Sequence, residues 1–205
     1  MPTQPIKIKF RLSKKRLAIL GCIGIVCLLL RGQLFRGSIT YMLEKYYPLE
    51  YLIEQDLENY ILFHPDVLNR GITDLRQIAY VAEKITSDAL AYSDTVKTIN
   101  PNLTFKMGVA NDVGYSAFYN TVCDYLLQRC NINTRYDCRH LVGQCFLKKT
   151  KVNDVRSNPR LGKRFPSEFH FNAIFEHGTG KTIALDPTLY EDYQIPEVSL
   201  YQVFR

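Results

Sequence analysis

The chain has 205 residues, 12% of them aromatic and no low-complexity tract, which excludes a disordered or fibrous protein and leaves room for one ordinary domain with a real core. The net charge of +6 is concentrated at one end: Lys7, Lys9, Arg11, Lys14, Lys15 and Arg16 all precede the first acidic residue, Glu44. With no basic motif interleaved with aromatics, this charge argues against a nucleic-acid partner and for orientation at a membrane.

The basic stretch runs into LAILGCIGIVCLLL, residues 17–30. This apolar run is shorter than the roughly 20 residues of a spanning helix and sits within the roughly 7–15 of a signal-peptide core. No small-residue cleavage site follows it, and Arg31, Leu34 and Phe35 come next. Flanking cations can snorkel, and Leu34-Phe35 can extend the helix into the interface. The expected organisation is a cytoplasmic tail over 1–16, an uncleaved membrane anchor over 17–35 (a cleaved signal segment being the alternative), and an extracytoplasmic domain over 38–205. Cys22 and Cys27 fall in the apolar run, whereas Cys123, Cys130, Cys138 and Cys145 fall in the domain. Outside the cytoplasm these four could pair in any of three ways; inside it they would be buried thiols. No CxxC occurs, which argues against a zinc ribbon, and no metal or cofactor is implied.

Along the domain, apolar positions Ile39, Met42, Leu43, Leu49, Leu52, Ile53, Leu57 and Ile61 predict a helix over 38–63, interrupted at Pro48. Leu75, Ile78, Ala79, Ala82, Ile85 and Leu90 predict an amphipathic helix over 73–90. Residues 93–113, rich in Asn, Thr and Pro, read as loop, with Asn102-Leu103-Thr104 matching a glycosylation acceptor. Phe118, Tyr119, Val122, Cys123, Leu126, Leu127 and Cys130 give one buried face of a helix over 116–130. RHLVGQCFLKK, 139–149, reads as a strand, followed by a long basic loop to 167 and an aromatic tail over 189–205. GTGKT is not a phosphate loop, since Phe175 stands where that motif needs a glycine and no helix follows.

FHFNAIFEHGTGKTIALDPT, 169–188, reads as a hairpin with strands near 169–176 and 182–186 about Gly178-Thr179-Gly180. Folding about Thr179 sets Asn172 opposite Asp186 and Ala173 opposite Leu185. Phe171, Ala173, Phe175, Ile183 and Leu185 then share an apolar face, and His170, Asn172, Thr182 and Asp186 the other. In that register His170 and Asp186 are diagonal neighbours with Cα atoms roughly 7–8 Å apart, near enough for a carboxylate to orient an imidazole. The alternative is a surface histidine and an aspartate that opens the turn Asp186-Pro187-Thr188.

Three segments resemble the transglutaminase-like branch of the papain-type thiol enzymes. EKITSDALAYSD is similar to that family's helix and following extended stretch; GYSAFYNTVCDYLLQRCNINTR to its Gly-x-Cys core helix and closing turn; and HFNAIFE…IALDPT to its His strand and Asp-Pro-Thr strand. The likeness covers about 75–190. It implies an α+β fold with N-terminal helices, a core helix and an antiparallel sheet, and a Cys/His/Asp site with His170 as base and Asp186 as its orienter. In this register the nucleophile position holds Ser116, which a helix dipole cannot ionise as it can a thiol; the bland role for Ser116 is a helix N-cap. A second register makes Cys138 the residue that opens the core helix. Two main functions follow: a catalytically degenerate binding or structural module, with a protein or peptide as its ligand at a His170/Asp186 cleft, or an active acyl-transfer or amide-hydrolysing enzyme using Cys138 or Ser116 with His170 and Asp186; a purely architectural partner of a membrane complex is a third.

Overall fold

The computed structural model describes residues 37–48, 51–68, 74–148, 150–151, 168–193 and 195–201. The expected tail and membrane anchor, 1–35, lie outside the described residues, as does most of the 149–167 loop. No helix among the described residues is long and apolar enough to cross a membrane.

The domain is α+β. In chain order its elements are β1 (Ile39–Tyr46), α1 (Gln55–Leu62), α2 (Pro65–Leu68), α3 (Leu75–Ala89), β2 (Ala91–Tyr92), α4 (Pro101–Met107), β3 (Val109–Ala110), α5 (Asp112–Arg129), β4 (Tyr136–Leu147), β5 (Thr150–Lys151), β6 (Phe169–Glu176), β7 (Thr182–Leu185), α6 (Pro187–Tyr193) and β8 (Ser199–Tyr201). The main sheet runs β7-β6-β4-β1-β8, with β5 on the end of β4. Neighbours are antiparallel except β1 and β8. A single bridge, Val198 N–H to Ala184 O at 2.9 Å, brings β7 toward β8 and nearly closes the sheet on itself.

This curved sheet separates two cores. Inside it lie Tyr41, Leu141, Cys145, Phe171, Ala173, Ala184, Ile195 and Val198. On its outer face α5 packs with α3, through Ile78, Val81, Ile85, Tyr115, Phe118, Tyr119, Val122 and Leu126, against Cys138, Ile174 and Leu185. Strand alternation therefore sends successive residues of β4, β6 and β7 to different cores.

The predicted helix over 73–90 and strand over 139–149 correspond to α3 and β4, and the hairpin strands to β6 and β7. The helix expected over 38–63 is not continuous: 39–46 is a strand, and helix begins only at Gln55. ITYMLEKY has apolar residues at both helical and strand spacings, and the sheet claims them, with Tyr41 buried between β4 and β8. The presumed loop over 93–113 contains α4, begun by an Asn100 side chain that accepts from Asn102 N and Leu103 N, with Pro101 in the first turn and Gly108 at φ 65° closing it. Asn102 of the glycosylation triplet is buried, receiving Glu54 N–H at 2.9 Å and donating to Leu52 O at 2.8 Å, so its amide is committed to the fold. The tail contains α6 and β8.

Gly143 sits where β4 crosses β1 at the irregular register between Leu43 and Lys45. A Cβ there would press into the Met42 carbonyl oxygen and lie 3.2 Å from the Phe171 ring. Gly143→Ala should therefore destabilise the domain by about 1–3 kcal/mol, seen as a lower denaturant midpoint; an unchanged midpoint would mean that β1 and β4 are not packed this closely.

Candidate functional site

The hairpin register decides the site. Asn172 pairs with Leu185 and Ala173 with Ala184, one residue away from the expected pairing. Because side chains alternate, a one-residue slip exchanges faces. Leu185 joins the outer core beside Ile174, and Asp186 turns the other way. Asp186 accepts from the Tyr41 hydroxyl, which belongs to the inner core, and from Thr188 N, Thr188 Oγ1 and Leu189 N at 2.9, 2.6 and 3.2 Å. Burial raises its pKa, and these donors oppose the rise. Asp186 is thus the opener of α6 and a structural anchor, and its hydrogen bonds go to Tyr41, Thr188 and Leu189 rather than to His170.

The partner of His170 is His140. Val142 pairs with His170 and His140 with Asn172 across β4 and β6, so both imidazoles project to the outer face. His140 Nε2 lies 2.9 Å from His170 Nδ1. Tyr47 covers both, its ring 4.9 Å from His140 and 5.7 Å from His170, and its N–H donates to His140 O at 2.9 Å. Burial lowers the His140 pKa to about 3, with His170 adding to the effect. Burial also lowers His170, against the nearby carboxylates of Asp112 and Glu168, which raise it. Both rings are held neutral.

Facing them is α5, which starts at Asp112, a full turn before the expected 116. Asn111 is its N-cap, accepting Gly114 N–H at 3.0 Å. Ser116 is therefore inside the helix, not at its cap. It is fully buried, and its Oγ has no hydrogen-bond partner. The residue that opens the helix near His170 is Asp112. Asp112, Ser116, Asn120 and Asp124 recur every four residues and so share one helix face. That face meets the sheet: Asn172 Nδ2 donates to Ser116 O at 3.0 Å, Cys138 N donates to Asp124 Oδ1 at 3.2 Å, and Asn120 Nδ2 donates to Asp124 Oδ2 at 2.8 Å. A buried polar seam runs between α5 and β4/β6, from the Asp112/His170 end to Cys138.

Cys138 lies in β4, not at a helix start, which removes the second register. It is buried beside Cys123, and burial and Cys123 raise its pKa well above the usual thiol value. This is the opposite of a thiol prepared for attack. Cys145 is pushed up to about 12, chiefly by burial. Cys123, Cys130, Cys138 and Cys145 are all free thiols. Among the described residues no group of three His, Cys, Asp or Glu side chains is gathered to hold a metal ion. A surface groove of about 790 Å³ lies elsewhere, lined by Arg76, Tyr80, Arg135, Tyr136 and Lys181 among others, far along the hairpin from His170.

Sequence reasoning missed His140 and Asp112. His140 was legible as a histidine on the strand beside the His strand. Asp112 was hidden by starting the helix a turn late, which also concealed the four-residue polar stripe. Compared with protein-family models, curated proteins and solved structures, the chain matches none.

The seam carries opposed ionisations. Burial raises Asp124 to about 7, partly offset by the Cys138 N–H. Between roughly pH 4 and 6.5, the model-compound range, folding takes up a proton at Asp124, so this group stabilises on acidification and its contribution is lost as pH rises through 7. His140 behaves oppositely: the unfolded chain is protonated below about pH 6.5 while the folded ring stays neutral, so stability falls as pH drops. In wild type the two slopes offset each other. Asp124→Asn should leave the histidine slope exposed, giving a stability that declines more steeply from pH 6.5 to 4 in urea titrations; an unchanged slope would show that Asp124 is ionised in the fold.

Proposed function

We propose that this chain is a membrane-anchored domain of transglutaminase-like layout that binds its partner and does not transform it. The layout is supported by the order of the parts: a core helix, then a strand carrying His170 whose imidazole meets the start of that helix, in a sheet wrapped beside it. The observation that carries the non-catalytic reading is the residue at the nucleophile's place. Asp112 opens α5 next to His170, while Ser116 is sealed inside the helix and Cys138 faces Cys123. Acyl transfer to a carboxylate would form a mixed anhydride, a less stable species than the ester or amide it came from, so Asp112 is a poor acyl acceptor at this position. The partner class is a protein or peptide, and its contact is the surface where Asp112, His170 and Tyr47 meet, flanked by the Lys45–Glu168 ion pair at 3.1 Å. The membrane attachment is supported by the basic tail over 1–16 and the segment 17–35 with its apolar run 17–30, and the positive flank favours a domain outside the cytoplasm.

Thiol- and hydroxyl-directed probes test the chemistry. A chloroacetamide should leave Cys138 unlabelled in the native protein, and a fluorophosphonate should leave Ser116 unlabelled. Ser116→Cys should also resist the chloroacetamide, whereas Asp112→Cys, half-buried at the helix start, should label. Rapid labelling of wild-type Cys138 or Ser116 that His170→Ala abolishes would instead establish the enzyme reading.

Topology is tested separately. An alkaline phosphatase fused after Arg205 should be active in a bacterial host, because that enzyme matures only outside the cytoplasm. A fusion active only as a cytoplasmic reporter would reverse the orientation.

A further inference from the structure

Among the described residues six buried side-chain atoms lack a hydrogen-bond partner, and four of them lie in the seam: Ser116 Oγ, Asn120 Oδ1, His140 Nδ1 and Asn172 Oδ1. Three of them belong together. His140 and Asn172 are directly paired across β4 and β6, and Asn172 reaches the backbone of Ser116. Ser116 and Asn172 are fully buried and His140 is 2% exposed. The bond from Asn172 to the Ser116 carbonyl fixes the amide orientation, since only an amino group can donate there. Asn172 Oδ1 is therefore an acceptor facing the seam. Buried polar groups are rarely left unmet, because bulk water would have satisfied each of them in the unfolded chain.

We propose that Ser116 Oγ, His140 Nδ1 and Asn172 Oδ1 form an internal site for one water molecule, and that this water fixes His170 as a hydrogen-bond donor toward the domain's ligand. A water at this place donates to Asn172 Oδ1 and to His140 Nδ1 and accepts the Ser116 hydroxyl proton, three bonds, the usual number for a buried water. Its effect propagates outward. With Nδ1 accepting, the neutral His140 ring carries its proton on Nε2. That N–H donates to His170 Nδ1 across the 2.9 Å contact. The neutral His170 ring then carries its own proton on Nε2, the nitrogen not used within the pair. The group left on the outer side of the pair is an N–H, on a ring 9% exposed beside the Asp112 carboxylate. Its complement is an uncharged oxygen acceptor, a carbonyl or hydroxyl of the partner, because Asp112 repels an anion. This inference rests on the binding reading above and deepens it: a ring locked in this form recognises an acceptor and does not deprotonate a nucleophile.

Long-range ¹H–¹⁵N spectra of the uniformly ¹⁵N-labelled wild-type domain at pH 7 give the tautomer of each histidine directly. His140 and His170 should both be protonated on Nε2 alone, and a water cross-peak to the His140 or Ser116 side chain should appear in a rotating-frame Overhauser spectrum. Protonation of His140 on Nδ1, tautomer averaging in either ring, or the lack of a water cross-peak would overturn the proposal. Asn172→Leu should remove the cross-peak and release the tautomers; if that variant does not fold, the milder Ser116→Ala reads the same loss. Fixed tautomers together with His170-dependent labelling of a nucleophile would remove the non-catalytic reading alone. Averaged tautomers with no labelling would remove this inference alone.

Discussion

The contact between α5 and the outer face of the sheet is what the rest of the domain depends on. The helix is buried on nearly all sides, so it cannot hide its polar residues by turning them to solvent. It turns them to the sheet, where Asn172 and the Cys138 amide meet them. Every side of the helix then has a partner. Tyr115 and Tyr119 pack toward α3 and anchor their hydroxyls on Leu90 O and Ala79 O at 2.7 and 3.4 Å. The polar stripe fixes the rotation of the helix about its axis, since a turn of one residue would bring apolar side chains against His140 and Asn172 and strand those groups without partners. The placement of Asp112 against His170 follows from that rotation.

The elements of this fold were legible wherever one kind of order dominated the sequence. Helix α3 has a single apolar face and was visible; so were β6 and β7, bounded by Gly178 and Gly180 at φ 86° and 70°. Residues 39–46 were not legible as a strand, because ITYMLEKY satisfies both spacings and only the presence of β4 and β8 on its two sides decides between them. Helix α4 was missed although Asn100, Pro101 and Gly108 spell its start and stop, since a seven-residue helix is too short to show periodicity. The chemistry was harder to place than the elements. Whether His170 meets Asp186 depends on a single residue of register, and the turn Gly178-Thr179-Gly180 does not dictate that register. The inner core dictates it, through the attachment of Asp186 to Tyr41. Tyr41 lies 145 residues earlier, in a strand whose local spacing also reads as helix, so local order alone hides the partner that holds Asp186 away from His170.

Exchanging Asp186 for His140 changes what the site can do. A carboxylate behind a catalytic imidazole stabilises its charged form, which an acyl-transfer cycle requires. A second neutral imidazole does not. It accepts or donates one hydrogen bond, and burial lowers the pKa of both rings, with His170 adding to the effect on His140. The pair is thus better suited to hold a fixed tautomer than to shuttle a proton. Asp112 and Glu168 work against this, since their charges favour protonation of His170. The site thus sets the Asp112 side chain at the helix start beside uncharged hydrogen-bonding rings. Under the binding reading proposed above, that arrangement orients a ligand without passing a proton to it, and the same buried polarity that makes the seam costly to fold holds the two rings in one geometry.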